Sequence, residues 1–187
     1  ASDRGELQLT DYGISGIPVF QVSRYASEAL DRKKRVLAVL DFFPSLKDEE
    51  LFLLLKEQRM YLSDRKAEGF LNGIFHKKLA ALFLKAAGIR GEEMTGRLSD
   101  KKLLAAAELI KRTVVEVTAA NSFDKAQVCM GGVRVKDVDP CTMESRLVPG
   151  LYFAGEILDV DGICGGYNLQ WAWSSGYAAG ASATGKE

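Results

Sequence analysis

The chain has 187 residues, of which 47% are hydrophobic and 27% are charged, and its 25 basic side chains balance its 25 acidic ones. This composition supports a packed core and argues against a largely disordered chain. The lack of a basic excess argues against nucleic acid as the main partner. Three cysteines without a C-x-x-C pair favour reduced thiols over disulfides, and a single histidine argues against a metal site.

The sequence contains no apolar run close to the roughly 20 residues of a membrane span, and no signal peptide opens it. We therefore expect a cytoplasmic protein without a membrane partner. Residues 1–6 lack an initiator methionine and lead directly into a strand-like pattern. We expect the chain to be a fragment of a longer protein.

The first part of the chain predicts two strands and one helix. Residues 6–10 alternate polar and apolar side chains, which is the period of a half-buried strand. Residues 11–16 are interpreted as a turn-rich link, and Pro18 suits the first turn of a helix that reaches roughly Leu30. Residues 35–43 predict the second strand, because apolar and β-branched side chains dominate there.

Helical periodicity follows in the middle of the chain. The first helix is expected to be capped by Ser45. It has three acidic residues in its first turn, whose negative charge interacts favourably with the helix dipole. The second is predicted over residues 69–87, with Gly88 as its C-terminal stop. The third is predicted over residues 100–111, with Ser99 as its N-cap. Three amphipathic helices in succession predict a small helical bundle.

Strand patterns return after the helices. Residues 113–119 alternate β-branched and polar side chains, so the helices are interpreted as an insertion into a β unit. Residues 133–135 predict a short strand, and residues 151–154 predict a buried one. A glycine-rich acidic loop over residues 155–166 then leads into a small-residue helix from Tyr167. Strand, glycine-rich turn and helix N-terminus in this order are typical of sites for anionic or electron-rich ligand groups.

Two interpretations of the loop residues remain open. Gly165 and Gly166 suit a tight turn with positive φ, or they leave the N–H groups of the helix start facing a ligand. The acidic side chains of residues 156–162 favour the ligand. Glu156 follows Gly155 at the end of a predicted strand, where α/β folds bind ligands, and a solvated loop acid is an equal alternative.

Other reactive or aromatic residues favour structural roles. Trp171, Trp173 and Tyr177 could form a stacking platform, but aromatic residues on an alanine-rich helix usually belong to a core or an interface, and we favour a core. Cys164 has no neighbouring cation or second cysteine in sequence that would favour a redox role beside a cofactor. His76 is interpreted as a surface or groove residue. No residue stands out as a general acid or base, so the catalytic residue is unassigned.

The tail closely resembles the C-terminal signature of a flavoprotein family. Residues 143–162, MESRLVPGLYFAGEILDVDG, and residues 165–176, GGYNLQWAWSSG, carry this likeness to the BaiN-like NAD(P)/FAD-dependent oxidoreductases. Residues 127–133, QVCMGGV, resemble the family's approach to that signature. Residues 9–16, LTDYGISG, are similar to its threonine-to-glycine motif in an inserted β domain. The resemblance spans nearly the whole chain and is most specific in the tail.

The resemblance implies an α+β fold, in which an insertion of a small β-barrel and a helical bundle interrupts a Rossmann-type FAD domain. On this basis residues 1–45 are predicted to be the β-rich part of the insert domain, and residues 46–112 the helical bundle. Residues 113–126 would be a returning barrel strand and link. Residues 127–187 would be the C-terminal segment of the FAD-binding domain, a strand, loop and helix.

The resemblance also implies that full-length protein binds FAD, with the start of the Tyr167 helix beside the flavin ring. The N–H groups there would favour negative charge on reduced flavin. Glu156 is the candidate for the ribityl hydroxyls, and Asp159 for a second polar contact. The candidate cofactor-binding residues are loop glycines and polar residues near the helix start: Gly131, Gly132, Gly155, Glu156, Asp159, Gly165, Gly166, Tyr167 and Asn168.

The chain lacks the G-x-G-x-x-G turn with which such families receive the FAD pyrophosphate. We therefore expect the fragment alone to bind FAD weakly or not at all, and its partner to be the missing N-terminal half of the FAD domain. In the intact protein, hydride would pass from NAD(P)H through FAD to an unidentified small-molecule acceptor. The alternatives are a non-catalytic interaction or scaffold domain, and a nucleotide-binding enzyme that uses the glycine turn for phosphate.

Overall fold

The computed structural model describes residues 1–185, which form an α+β structure of two compact units. The central unit contains residues 37–117, and the flanking unit combines residues 1–36 with the described residues from 118 onward. The helices and strands, in chain order, are β1 (Gln8–Thr10), β2 (Gly13–Ser15), α1 (Ile17–Asp31), β3 (Val36–Leu40), α2 (Asp48–Tyr61), α3 (Lys77–Ala86), α4 (Asp100–Lys111), β4 (Thr113–Val117) and α5 (Tyr167–Ala183). No helix within residues 1–185 is long and apolar enough to cross a membrane.

The flanking unit begins with a hairpin that leads into α1. Strands β1 and β2 pair antiparallel, with Leu9 opposite Ile14, and the Thr10 hydroxyl donates to the Gly13 carbonyl over 3.0 Å. The prediction of a turn-rich link over residues 11–16 was therefore wrong for its second half. Only two residues separate the strands, and so short a loop makes the second strand easy to overlook. Helix α1 has proline in its first turn, as predicted.

The predicted strands on either side of the helices are confirmed, and they pair with each other. Strands β3 and β4 form one two-stranded sheet, so the helical segment is an insertion between paired strands. Strand β3 ends at Leu40, three residues earlier than predicted. Asp41 ends it, because its carboxylate accepts a hydrogen bond of 2.9 Å from the Phe43 N–H and closes a turn. Phe42 and Phe43 then pack against the helical core.

Two helix starts in the central unit differ from the predicted ones. Helix α2 begins after Lys47 instead of Ser45, because the Glu50 carboxylate accepts a hydrogen bond of 2.7 Å from the Lys47 N–H. Helix α3 begins at Lys77, eight residues later than predicted, since Gly73 adopts a φ of +85° that interrupts the helix. His76 is the N-cap of α3, and its Nδ1 atom accepts from the Lys78 N–H over 3.4 Å. The stop at Gly88 and the Ser99 cap of α4 are confirmed.

One hydrophobic core lies among α2, α3 and α4. Phe42 and Phe75 meet Phe83 edge-on, with ring centroids 5.3 and 5.2 Å away. These residues pack with side chains from all three helices and from the 3₁₀ turns between them. The largest fully buried side chains here are Leu51, Leu55, Phe70, Leu71, Phe83, Leu103 and Ile110.

The core of the flanking unit is smaller and is built mostly by loops. Val138, Met143, Leu158 and Ala179 are buried together. The predicted strands at residues 133–135 and 151–154 are reduced to isolated bridges, Val133 with Leu158 and Glu144 with Tyr152. The segment 151–154 was predicted to be buried, but its first residue, Leu151, is 41% exposed. Hydrophobic content alone predicted these strands, whereas a strand requires a neighbour along its length.

Candidate functional site

A cavity of about 300 Å³ lies at the start of α5 in the flanking unit. Its lining combines apolar side chains, a few polar groups and two glycines. The lining residues are Gln127, Val128, Glu156, Val160, Cys164, Gly165, Gly166, Asn168, Leu169, Trp171 and Ala172. Four of the nine candidate residues, Glu156, Gly165, Gly166 and Asn168, are therefore brought together at one site.

The cavity lies against a helix end that no side chain within residues 1–185 caps. Gly166 is the N-cap of α5, with a φ of +92° and nothing within 4 Å of the position that a Cβ would occupy. The first bond of the helix runs from the Gln170 N–H to the Gly166 carbonyl over 2.9 Å. The N–H groups of residues 167–169 therefore lack partners within the helix. Together with the helix dipole, they favour an anionic or electron-rich group in the cavity.

Side chains of α5 fix the loop that precedes it. The buried Ser175 hydroxyl accepts from the Gly155 N–H over 2.9 Å and donates to the Trp171 carbonyl over 2.6 Å. The Trp171 indole N–H donates to the Gly155 carbonyl over 3.2 Å. The Asn168 amide pairs with the backbone of Gly162, through bonds of 2.7 and 3.0 Å. The side chain of Asn168 thus holds the loop, which leaves its backbone N–H as the group available to a ligand.

The two acidic candidates occupy different places. Glu156 lines the cavity, and its Oε1 atom accepts from the Cys129 N–H over 3.1 Å. The carboxylate therefore ties the segment before Gly131 to the loop. Its second oxygen has no hydrogen bond to any residue that the structure describes. Asp159 lies outside the cavity lining, with an exposed side chain. Its backbone N–H donates to the Val133 carbonyl over 2.9 Å.

Gly131 and Gly132 lie outside the cavity lining. A Cβ on Gly132 would stand 2.5 Å from the Ile157 carbonyl oxygen and 2.9 Å from the Leu158 carbonyl carbon. The chain's own loop therefore approaches the backbone of Gly132 and leaves no room for a side chain there. A Cβ on Gly131 would meet nothing within 4 Å.

The aromatic residues of α5 separate into two groups. Trp171 packs against the core of the flanking unit and lines the cavity. Trp173 and Tyr177 are 68% and 80% exposed, so the prediction that they belong to the core is wrong for the part of the chain described. The helix has no charged residue, so no charged face in its sequence indicates which side meets solvent. Tyr167 at the helix start is exposed too and does not line the cavity.

Sequence reasoning missed two residues of α1 that hold the same loop. The Gln21 side-chain oxygen accepts from the Cys164 N–H over 3.1 Å. The Arg24 guanidinium pairs with the Asp161 carboxylate at 2.8 Å. More than 130 residues separate the members of each pair, and no local motif announces such contacts. A further residue missed was Ser175, a small polar residue in a helix of small residues.

Two family models match the chain. The HI0933-like protein barrel and H2TH domain matches residues 1–128, and the HI0933-like protein Rossmann domain matches residues 84–182. The chain belongs to the HI0933-like family. The predicted combination of a barrel-containing insert with a Rossmann-type segment is thereby confirmed. The four predicted domain boundaries and the cofactor roles of the candidate residues stay predictions.

Curated relatives of this HI0933-like chain include enzymes with two different names. It is 43% identical over 183 residues to the 3-dehydro-bile acid delta(4,6)-reductase of Clostridium scindens. It is 34% and 32% identical to the ribosomal RNA dihydrouridine synthases of Haemophilus influenzae and Escherichia coli. These matches cover 98%, 95% and 94% of the chain, and 45%, 42% and 41% of the relatives. The chain thus spans less than half the length of each, and the predicted BaiN-like membership is confirmed.

Proposed function

We propose that the HI0933-like chain supplies one half of the FAD site in a flavin-dependent oxidoreductase. In the full-length protein, hydride passes from NAD(P)H through FAD to a small-molecule acceptor. The observation that carries this proposal is the cavity at the glycine-capped start of α5. It lies in the segment that the Rossmann domain matches, and the relative with 43% identity is a reductase.

The residues of the cavity fit the flavin end of FAD in two respects. Val160, Leu169 and Trp171 give the cavity an apolar wall, and the α5 start gives it unpaired N–H donors at one edge. A planar ring system with a polar edge requires this combination. At about 300 Å³, the cavity is at the low end of ligand sites and suits part of a dinucleotide. Because the chain has no G-x-G-x-x-G turn, the pyrophosphate must be held elsewhere.

The chain's own groups have separate roles in this site. FAD, when bound, supplies the hydride chemistry, and the protein binds and orients it. We assign the free oxygen of Glu156 to a ribityl hydroxyl, and the N–H groups of Tyr167 and Asn168 to negative charge on the ring. Val160 and Trp171, which are partly buried, exclude water from the apolar wall.

The relatives' names support one class of acceptor. A delta(4,6)-reductase and a dihydrouridine synthase are both named for adding hydrogen at carbon–carbon double bonds. We propose that the acceptor here is a small molecule with a double bond conjugated to a carbonyl. The higher identity to the bile acid enzyme and the balanced charge of the chain favour a small molecule over RNA.

We propose that the partner of this chain is the missing N-terminal half of the Rossmann domain. Leu169, Trp173 and Tyr177 recur every four residues and form an exposed apolar stripe on α5. A helix without charges is typical of one enclosed on several sides. The relatives are more than twice as long as their matched parts, so they contain enough additional chain to cover such a stripe.

The test is to measure flavin in the purified full-length protein and in its Gly166→Val variant. Valine strains the positive φ of Gly166 and places methyl groups before the helix start. We expect bound flavin that NADH or NADPH reduces in the absence of oxygen, and at least tenfold weaker FAD binding in the variant. Gly150→Val is the matched control, because Gly150 has a φ of +79° and lies outside the cavity lining.

Two results would contradict the proposal. A colourless wild-type protein that binds no added FAD would favour the scaffold alternative. Flavin occupancy and reduction that are unchanged in Gly166→Val would remove the α5 start from the cofactor site.

A further inference from the structure

The loop at residues 161–164 is held by side chains from two helices. Asn168 of α5 holds Gly162 through both of its amide atoms. The other two contacts come from α1, where the Gln21 side chain accepts from the Cys164 N–H at 3.1 Å and Arg24 forms an ion pair with Asp161 at 2.8 Å. Gln21 and Arg24 are three positions apart and therefore lie on one face of α1.

These α1 contacts are partly shielded from water. The Asp161 side chain is only 14% exposed, so its ion pair with Arg24 is screened less than a surface pair. The Gln21 and Cys164 bond is also partly buried. Both contacts form within the flanking unit.

The held loop leads directly into the cavity. Cys164 lines it, and the next residues, Gly165 and Gly166, have φ values of +123° and +92°. Two successive glycines have little conformational preference of their own. The direction in which the chain enters α5 therefore depends on how the residues before them are fixed.

We propose that Gln21 and Arg24 are positioning residues for the flavin site. They fix residues 161–164 from outside, and through these the backbone N–H groups at the start of α5. Among the described residues that line the cavity, none belongs to α1. Helix α1 therefore controls a cofactor site that it does not line. This inference rests on the proposed function.

The loop contact is tested first, by hydrogen exchange of residues 161–166 in full-length protein with and without FAD. Gln21→Met keeps the side-chain size and removes the acceptor. We expect roughly fivefold faster exchange, which corresponds to one ordinary hydrogen bond. Gln21→Glu keeps an oxygen acceptor and should restore slow exchange. Glu28→Gln is the control on the same helix, because Glu28 pairs only with Arg32 of the adjoining turn among the described ion pairs.

The effect on the cofactor is tested with the same variants. We expect Gln21→Met to weaken FAD binding about fivefold and to shift the flavin reduction potential, with Gln21→Glu close to wild type. Arg24→Asp and Asp161→Arg should each weaken FAD binding, and their combination should recover it, because the reversed charges pair again. A loss of thermal stability alone would not produce both results, namely the recovery of FAD binding in the double variant and the shifted flavin reduction potential in Gln21→Met.

Three outcomes decide the inference. Unchanged exchange in Gln21→Met would overturn the loop contact. Faster exchange with unchanged FAD affinity and potential would overturn the positioning role. If wild-type protein binds no FAD, the proposed function fails, and the exchange measurement alone then decides whether Gln21 fixes the loop.

Discussion

The central and flanking units differ in how far their own residues complete them. Among the described residues, fifteen buried hydrophobic side chains form the core of the central unit, and four form that of the flanking unit. The flanking unit meanwhile leaves large apolar side chains of α5 exposed. The central unit also exposes apolar side chains, such as Leu37, Leu53 and Leu82. Its larger core should nevertheless let it fold by itself, whereas the small core of the flanking unit favours a partner.

The two units also use different polar contacts. In the central unit, Lys111 is nearly buried, and its ammonium group reaches the Asp41 carboxylate at 2.6 Å and the carbonyls of Phe43 and Leu46. Such contacts join helix to strand end and need only this unit. In the flanking unit, side chains such as Ser175 mostly satisfy loop backbone. Its conformation therefore depends on a few bonds around the candidate site.

The largest expected effect tests whether the central unit is self-contained. We expect residues 37–117, expressed alone, to unfold cooperatively on heating or in urea. Leu103→Ala should then lower the free energy of unfolding by about 2–5 kcal/mol, because Leu103 is fully buried among α2, α3 and α4. Leu104→Ala, one position along and 52% exposed, should cost about 0.5 kcal/mol or less. Similar losses in both variants, or a broad melt, would break the contrast between the units.

A smaller effect is expected at the hydrogen bond that ties α5 to the site loop. Ser175→Ala leaves the buried Gly155 N–H without its acceptor, which should cost about 1–3 kcal/mol. We expect a lower melting temperature of the full-length protein and weaker FAD binding. Ser174→Ala is the control, since the one side-chain hydrogen bond of Ser174 in the described part of the chain comes from the exposed Gln170 side chain. Normal FAD binding in Ser175→Ala would show that the loop does not depend on this bond.

Next in size is a gain of stability within the central unit. Thr95 is fully buried, and its hydroxyl has no hydrogen-bond partner in the described part of the chain. Thr95→Val replaces that hydroxyl with a methyl group of similar size and should raise the free energy of unfolding by about 1 kcal/mol. Thr113→Val is the matched control and should destabilise, because the Thr113 hydroxyl donates to the Leu109 carbonyl over 2.6 Å. Urea unfolding of residues 37–117 measures the free energy of unfolding of both variants. A lower free energy of unfolding in Thr95→Val than in the wild type would contradict the expectation.

Local signals in the sequence predicted most helices. Pro18 and Ser99 marked the starts of α1 and α4 within a residue or two, because a cap acts on its own first turn. Helix α3 was drawn too long, since Gly73 interrupts a segment whose apolar spacing continues. The strands at 133–135 and 151–154 failed for a different reason, because pairing decides a strand and pairing is not local.

In the candidate site, too, local signals were predictable and contacts between distant residues were not. The glycines at the start of α5 and Glu156 carry local signals, and the structure places them around one cavity. The function of the Asn168 side chain was not predictable, because it binds the loop backbone instead of facing a ligand. The bonds of Gln21 and Arg24 join residues more than 130 positions apart, and only the fold brings them together.

The smallest effect concerns the pH dependence of the central unit. The Lys102 ammonium group, at 2.6 Å, and the Arg90 N–H lower the pKa of Glu93 from about 4.5 to about 2. Because this pKa is lower in the folded state, the contribution is fully present above pH 4.5 and is lost as the pH falls toward 2. Glu93→Gln should therefore make the melting temperature of residues 37–117 depend less on pH across that range. The control Glu92→Gln, at an exposed neighbouring position, should keep the pH dependence of the wild type. The effect should be small, since solvent screens the ion pair. An equal pH dependence of the melting temperature in Glu93→Gln and wild type would mean that other carboxylates, such as Asp100 beside Arg59, govern acid unfolding.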